Sequence, residues 1–271
     1  MNIKFGTEGW RALIDEDFNL SNVQICAQAT ADLIKTENPT DISPVIIGYD
    51  TRLKSDVFAK SVAEVFAGNN IHVLLNNGPV PTPVVSHAVW SDSAAAGIVI
   101  TASHNPSKYN GYKLKMSDGS SASSKIVQQL ETHIRRLEQE PSIKKFPLED
   151  AVASGLVKTI DLKSPYLNHL NQLLNIDEIG SAGIKIAHDP MYGSGIGYFS
   201  ELFSGKRTEV KQIHSIKDHN FPGIEQPEPV EKNLELLSET VKHNYYDIGI
   251  ANDGDADRVG ILDENGGFVT P

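Results

Sequence analysis

Apolar residues recur along this chain at two spacings, one of helices and one of strands. After a short extended start, Val23, Ala27, Ala31 and Ile34 fall on one helical face, and Ser21 with Gln24 forms a capping-box pattern at its start. The run PVIIGYD (44–50) predicts a buried strand, Ser55 caps a second helix running to Gly68, and IHVLLNN (71–77) predicts the next strand. Pro79, Pro81 and Pro83 punctuate a loop before a short helix over 82–91, and Ala94 to Ile100 has the length and composition of another buried strand. Past the turn-rich stretch SKYNGYK, Ser120 to Ser124 leads into a long helix with Ile126, Leu130, Ile134 and Leu137 on one face, ended by Pro141.

Residues 142–159 mix polar positions with Pro147 and Gly155 and predict a connector, which places a domain boundary near Leu162. The alternation then resumes. Ser164-Pro165 is a helix-start pair, GIKIAHDP (183–190) a strand, 195–204 a helix, RTEVKQIH (207–214) a strand and 230–243 a helix. YDIGIAN (246–252) predicts the next strand, followed by a hairpin turning at Glu264-Asn265-Gly266. Strands alternating with helices in this way imply a largely parallel sheet in each half.

Composition narrows the class. The 271 residues are 39% hydrophobic and 22% charged, enough for two globular domains with separate cores. A formal charge of −11, from 24 Lys and Arg against 35 Asp and Glu, argues against a nucleic-acid partner, which requires a concentrated basic surface. The one cysteine, Cys26, cannot form an internal disulfide, and the amino terminus lacks the apolar core of a signal peptide, so a cytoplasmic protein is expected. No apolar run approaches the roughly 20 residues needed to cross a bilayer.

Two loops carry candidate chemistry. TASHNP (101–106) follows a buried strand, so Ser103 is expected at a strand's carboxyl end, where open α/β sheets bind ligands. DGDADR (253–258) sets Asp253, Asp255 and Asp257 at alternate positions directly after an apolar strand. Carboxylates this close suit a hard cation such as Mg²⁺, which also relieves their mutual repulsion. A solvated acidic turn is the plainer alternative. An EF-hand loop also spaces Asp this way and would find Glu264 at its twelfth position, but its sixth is Arg258 where glycine is needed. A haloacid-dehalogenase-type phosphatase using Asp253 or Asp255 as nucleophile stays open. Gly193, Gly195 and Gly197 do not match a dinucleotide fingerprint and predict a tight strand-to-helix turn, which His188 and Asp189 would shape. Arg52 is expected either at the active site or in a loop-anchoring salt bridge, and Trp10 in packing.

Five stretches, FGTEGWR (5–11), GYDTR (48–52), TASHNP (101–106), NGYK (110–113) and DGDADR (253–258), resemble motifs of the α-D-phosphohexomutase family, the phosphoglucomutases and phosphomannomutases, in the family's order. The resemblance implies two consecutive three-layer α/β/α domains with mixed, largely parallel sheets, domain I over 1–161 and domain II over 162–271. Domains III and IV, which discriminate the sugar and anchor its non-reacting phosphate, would be missing. It implies that Ser103 carries a phosphoryl group and that Asp253, Asp255 and Asp257 hold a Mg²⁺ that also touches this phosphate. Phosphoserine brings a charge of about −1.5 to −2, to be offset by the dication and by Arg11, Lys113 and Arg258. Lys113 is also the candidate proton carrier, and His104 shapes the loop, with a direct catalytic role the lesser reading. The implied reaction interconverts hexose 1-phosphate and hexose 6-phosphate, glucose first and mannose next, through a bound 1,6-bisphosphate, with glucose 1,6-bisphosphate as activator. Two domains alone are expected to turn over poorly. From a different class, the chain would be a non-catalytic metal- and phosphate-binding module that assembles with a separate chain carrying the carboxyl-terminal domains.

Overall fold

The structure is a computed structural model that describes residues 3–6, 8–37, 40 and 42–270, so Thr7 of the FGTEGWR stretch lies outside the described residues. In chain order the elements are β1 (Trp10–Leu13), α1 (Leu20–Glu37), β2 (Val45–Tyr49), α2 (Ser55–Gly68), β3 (Val73–Asn76), α3 (Thr82–Ser91), β4 (Ala96–Ile100), β5 (Tyr109–Met116), α4 (Ser124–Gln139), α5 (Leu148–Ala153) and β6 (Val157–Ile160). They continue with α6 (Lys163–Leu173), α7 (Ile176–Ser181), β7 (Lys185–Asp189), α8 (Tyr198–Leu202), β8 (Glu209–Gln212), α9 (Glu235–Asn244), β9 (Ile248–Asn252), β10 (Val259–Leu262) and β11 (Phe268–Val269).

These elements fall into two compact units. One holds residues 1–50, 54–102 and 108–162; the other holds 163–271 together with two short segments, 51–53 and 103–107. Two α/β domains with mixed sheets result. The first sheet has the order β1-β5-β4-β2-β3-β6, with β4, β2, β3 and β6 mutually parallel and β5 and β1 antiparallel at one side. The second has the order β11-β10-β9-β7-β8, with β9, β7 and β8 parallel and the β10–β11 hairpin antiparallel.

Side-chain alternation explains the layers. On β2, Val45, Ile47 and Tyr49 join β4's Ala96, Ile98 and Ile100 in a core filled from α1, α2, α4 and α5. Residues of opposite parity, such as Gly48 and Gly97, face valines of the 80–89 stretch that includes α3. In the second unit, Ala187 and Ala251 pack toward Leu237 and Val241 of α9, while Ile186, Ile248 and Ile250 pack toward Ile176, Phe199 and Phe203.

Several expectations need correction. Strands β1 and β5 and helix α7 are not in the apolar pattern, and the connector expected over 142–159 contains α5 and the start of β6, which pairs in parallel with β3. The cap of α1 is Asn19, whose Oδ1 accepts from the Asn22 backbone N–H at 3.0 Å; Ser21 already lies inside the helix, and Gln24 bonds Ser61 Oγ across to α2. Ser55 is likewise inside α2, and its hydroxyl donates to Asp50 Oδ1 at 2.8 Å instead of capping. No helix among the described residues is long and apolar enough to cross a membrane.

Candidate active site

In the first unit, Asp50 sits just past the end of β2 at 1% exposure and ties the two central strands together at their carboxyl ends. Its Oδ1 accepts from Ser55 and its Oδ2 accepts from the Thr101 hydroxyl at 2.6 Å, while Asn110 on β5 donates to Ser55 Oγ. A buried carboxylate survives there because both oxygens are satisfied. Arg11 lies on β1 opposite Gly111, and Lys113 lies on β5 opposite Val99, buried at 3% exposure. Both belong to the first unit.

The chain then passes into segment 103–107, which packs with the second unit. Ser103 takes a left-handed backbone (φ +52°), a conformation that a non-glycine residue adopts at a cost and holds only where its surroundings fix it. Arg52, 2% exposed, supplies that fixing. Its Nη2 donates to the carbonyls of Ser103 (2.7 Å) and Asn105 (2.6 Å) and its Nη1 to that of Pro106 (2.8 Å), with the guanidinium 5.1 Å over the Phe221 ring. Arg52 thus anchors this loop through its backbone carbonyls. A place near this loop was one of the two expectations for Arg52, and the signal for it was its position at the GYDTR strand end.

DGDADR forms the connection between β9 and β10, two antiparallel strands, which excludes the helix–loop–helix of an EF-hand. Gly254 is required because a Cβ there would fall 2.5 Å from the Ser103 carbonyl oxygen. The loop is braced from beneath: Ser194 N–H donates to the Gly254 carbonyl, and the Asn252 side chain accepts from His188 Nε2 and donates to the Arg258 carbonyl. Gln212 donates to His188 Nδ1 at 2.8 Å, so Nε2 carries the imidazole proton. Burial lowers the His188 pKa, partly opposed by the Asn252 bond and by Asp189. Asp189 in turn accepts from Met191 N–H and pairs with His214. Asp189 thus bonds into the turn after Pro190 that it was expected to shape, whereas His188 braces Asn252 at the start of the acidic loop.

Ser103, Asp253, Asp255, Asp257, Arg258 and His104 come together. Ser103 Oγ donates to Asp253 Oδ2 at 2.8 Å, and candidate ligand oxygens of the three carboxylates lie within 4.8 Å of one another. Asp253 Oδ1 accepts from the backbone N–H groups of Asp257 and Arg258, and Oδ2 also accepts from Arg258 Nε at 3.2 Å. Four donors on one carboxylate describe a held ligand more than an open aspartyl nucleophile. Burial first, then the charges of Asp255 and Asp257, push the Asp253 pKa up to about 7 against the pull of Ser103 and Arg258. For Arg258, burial opposes the charge, but Asp253 and Glu228, the latter 3.0 Å from Nη1, raise its pKa overall. His104 Nδ1 lies 3.4 Å from Ser103 Oγ, long for a hydrogen bond to a hydroxyl. The left-handed backbone at Ser103 is what brings these two adjacent side chains to the same side.

The donor set fits a hard dication: oxygen ligands only, three negative charges, and one guanidinium beside them. A model of phosphoglucomutase/phosphomannomutase α/β/α domain I matches residues 2–141, and one of domain II matches residues 164–267.

The chain belongs to the phosphoglucomutase/phosphomannomutase family.

Among curated relatives, a phosphoglucomutase of Komagataeibacter xylinus is 30% identical over 99% of this chain and 51% of its own length. A protein of Methanosphaera stadtmanae provisionally named phosphoglucosamine mutase is 35% identical over 97% of this chain and 55% of its own. A crystal structure from Thermus thermophilus, provisionally described as a phosphomannomutase, aligns with a TM-score of 0.88 and 31% identity over 100% of this chain and 59% of that one. The chain therefore spans about half the length of the curated relatives it matches.

Proposed function

We propose that this chain supplies the phosphoserine and the metal site of a hexose-phosphate mutase, with residues 1–161 as the phosphoserine domain and 162–271 as the metal domain. The observation that carries the reading is the 2.8 Å bond from Ser103 Oγ to Asp253 Oδ2 inside a cluster of three carboxylates. In the forward half-reaction the bond between Ser103 Oγ and phosphorus breaks, a bond forms from phosphorus to a free hydroxyl oxygen of the hexose monophosphate, and that hydroxyl's proton leaves. The return half moves the other phosphate of the bisphosphate back to Oγ. Asp253, Asp255 and Asp257 would hold a divalent cation such as Mg²⁺, which on binding neutralises their charge and stabilises negative charge on the transferring group.

The remaining groups position and neutralise. Arg52 holds the loop that presents Ser103, and Arg258, tied between Asp253 and Glu228, is a fixed positive charge beside the triad. Lys113 is assigned as proton carrier for the sugar hydroxyl and Arg11 as a further phosphate-facing cation, with His104 shaping the loop. Glucose phosphate is the first substrate assigned and mannose phosphate the next, with glucose 1,6-bisphosphate as intermediate and activator; the relatives' names include a glucosamine mutase as well.

The test is intact mass with peptide mapping after incubation with Mg²⁺ and glucose 1,6-bisphosphate. One phosphoryl increment on the Ser103 peptide is expected, lost entirely in Ser103→Ala and in EDTA. An increment that persists in Ser103→Ala, or maps to Asp253 or Asp255, overturns the reading.

A further inference from the structure

The GYDTR stretch contributes two buried charged residues, and they hold different things. Asp50 ties strand ends within the first unit, whereas Arg52, two residues on, donates to three backbone carbonyls of the segment that carries Ser103. A guanidinium at 2% exposure is costly to bury, and here it donates to three carbonyls and has an aromatic face 5.1 Å away.

We propose that Arg52 is a positioning residue for phosphoryl transfer at Ser103. This rests on the phosphoserine reading above and adds to it a part that sets the angle of the hydroxyl. The Ser103 carbonyl is held by Nη2 at 2.7 Å on one side while its Oγ is 2.8 Å from Asp253 on the other. With both ends fixed, the left-handed backbone at Ser103 has little freedom to relax. The planar fork matters as much as the charge. A lysine ammonium is a point donor and cannot span the carbonyls of residues 103, 105 and 106 in this geometry. Phosphoryl transfer is accelerated mainly by alignment, so a loop displaced by even ~1 Å should cost about 100-fold.

The experiment compares the wild type, Arg52→Lys and Arg52→Ala for the single-turnover rate of phosphoryl uptake on Ser103 from saturating glucose 1,6-bisphosphate with Mg²⁺. Mn²⁺ affinity and melting temperature are measured in parallel. The expected result is uptake slowed by about 10- to 100-fold in Arg52→Lys while Mn²⁺ affinity stays within about twofold, and partial rescue of Arg52→Ala by added guanidinium ion. A role in folding alone would not give that rescue or separate rate from metal binding. Uptake in Arg52→Lys within about twofold of wild type overturns the proposal, as does a rate loss matched by loss of Mn²⁺ binding. If the Arg52 variants do not fold, Phe221→Leu removes the ring beneath the guanidinium and should slow uptake several-fold; an unchanged rate there overturns it equally. No uptake by the wild type removes the phosphoserine reading itself, an outcome separate from the variant comparison.

Discussion

Strands β2 and β4 of the first unit and β7 and β9 of the second occupy corresponding places, parallel and central, yet their burial differs in kind. Every residue of β2 and β4 is buried, and alternate ones join one large apolar cluster. The second unit divides its apolar residues between two smaller clusters and buries His188, Asp189, Asp253 and Asp255 at 0–1% exposure. The first arrangement is held mainly by area removed from water, which offers a divalent cation no place to bind. The second adds a buried polar network to its apolar clusters, and its carboxylates repel until something neutralises them.

The largest effect should come from the apolar side. Phe66→Ala, at a fully buried position of α2, should cost about 3–5 kcal/mol in urea denaturation, and Mg²⁺ should restore none of it. Recovery with Mg²⁺ would break the comparison.

Next in size is the pH response of the second unit. The folded state keeps a proton on Asp253 up to about 7, whereas the unfolded chain releases it near 3.8. Between those values the folded state binds more protons, so in EDTA stability falls as pH rises through this window, by on the order of a few kcal/mol, and levels off above it. A cation displaces that proton, so Mg²⁺ should raise the melting temperature more at pH 8 than at pH 5, and Asp253→Asn should abolish both effects. Equal Mg²⁺ shifts at the two pH values would contradict the argument.

A smaller effect has the opposite sign. His188 is neutral in the fold with its pKa lowered below 6.5, so its contribution is present above 6.5 and is lost as pH falls through the folded value. The Asp253→Asn protein, freed of the larger slope, should show this loss on acidification, and His188→Gln should remove it. The smallest change belongs to the surface of the first unit: Lys60→Ala breaks an exposed i,i+4 pair with Asp56 and should shift stability by about 0.3–0.5 kcal/mol, less in high salt.

The contrast also explains what the sequence reveals. The apolar runs of β2 and β4 stand out because both faces of each strand are buried, and that of β9 because its residues are buried or half-buried throughout. Strand β5 does not, because YNGYKLKM reads as turn and polar residues; it is a strand because β1 and β4 flank it and hide Asn110 and Lys113. Strand β6 is hidden in a polar connector for the same reason, its existence resting on pairing with β3. At the site, Ser103 and the three aspartates are legible because each follows an apolar strand directly. Arg52 is only half legible: its place at the GYDTR strand end points toward the site, but its bonds to three carbonyls far along the chain leave no local signature, and a helix that starts at Leu20 makes Asn19 the cap in place of Ser21.

Segments 51–53 and 103–107 are encoded inside the first unit but pack with the second. A gene cut at codon 162 would therefore divide one working surface between two products: Arg52 and Ser103 on one, Asp253 and Arg258 on the other.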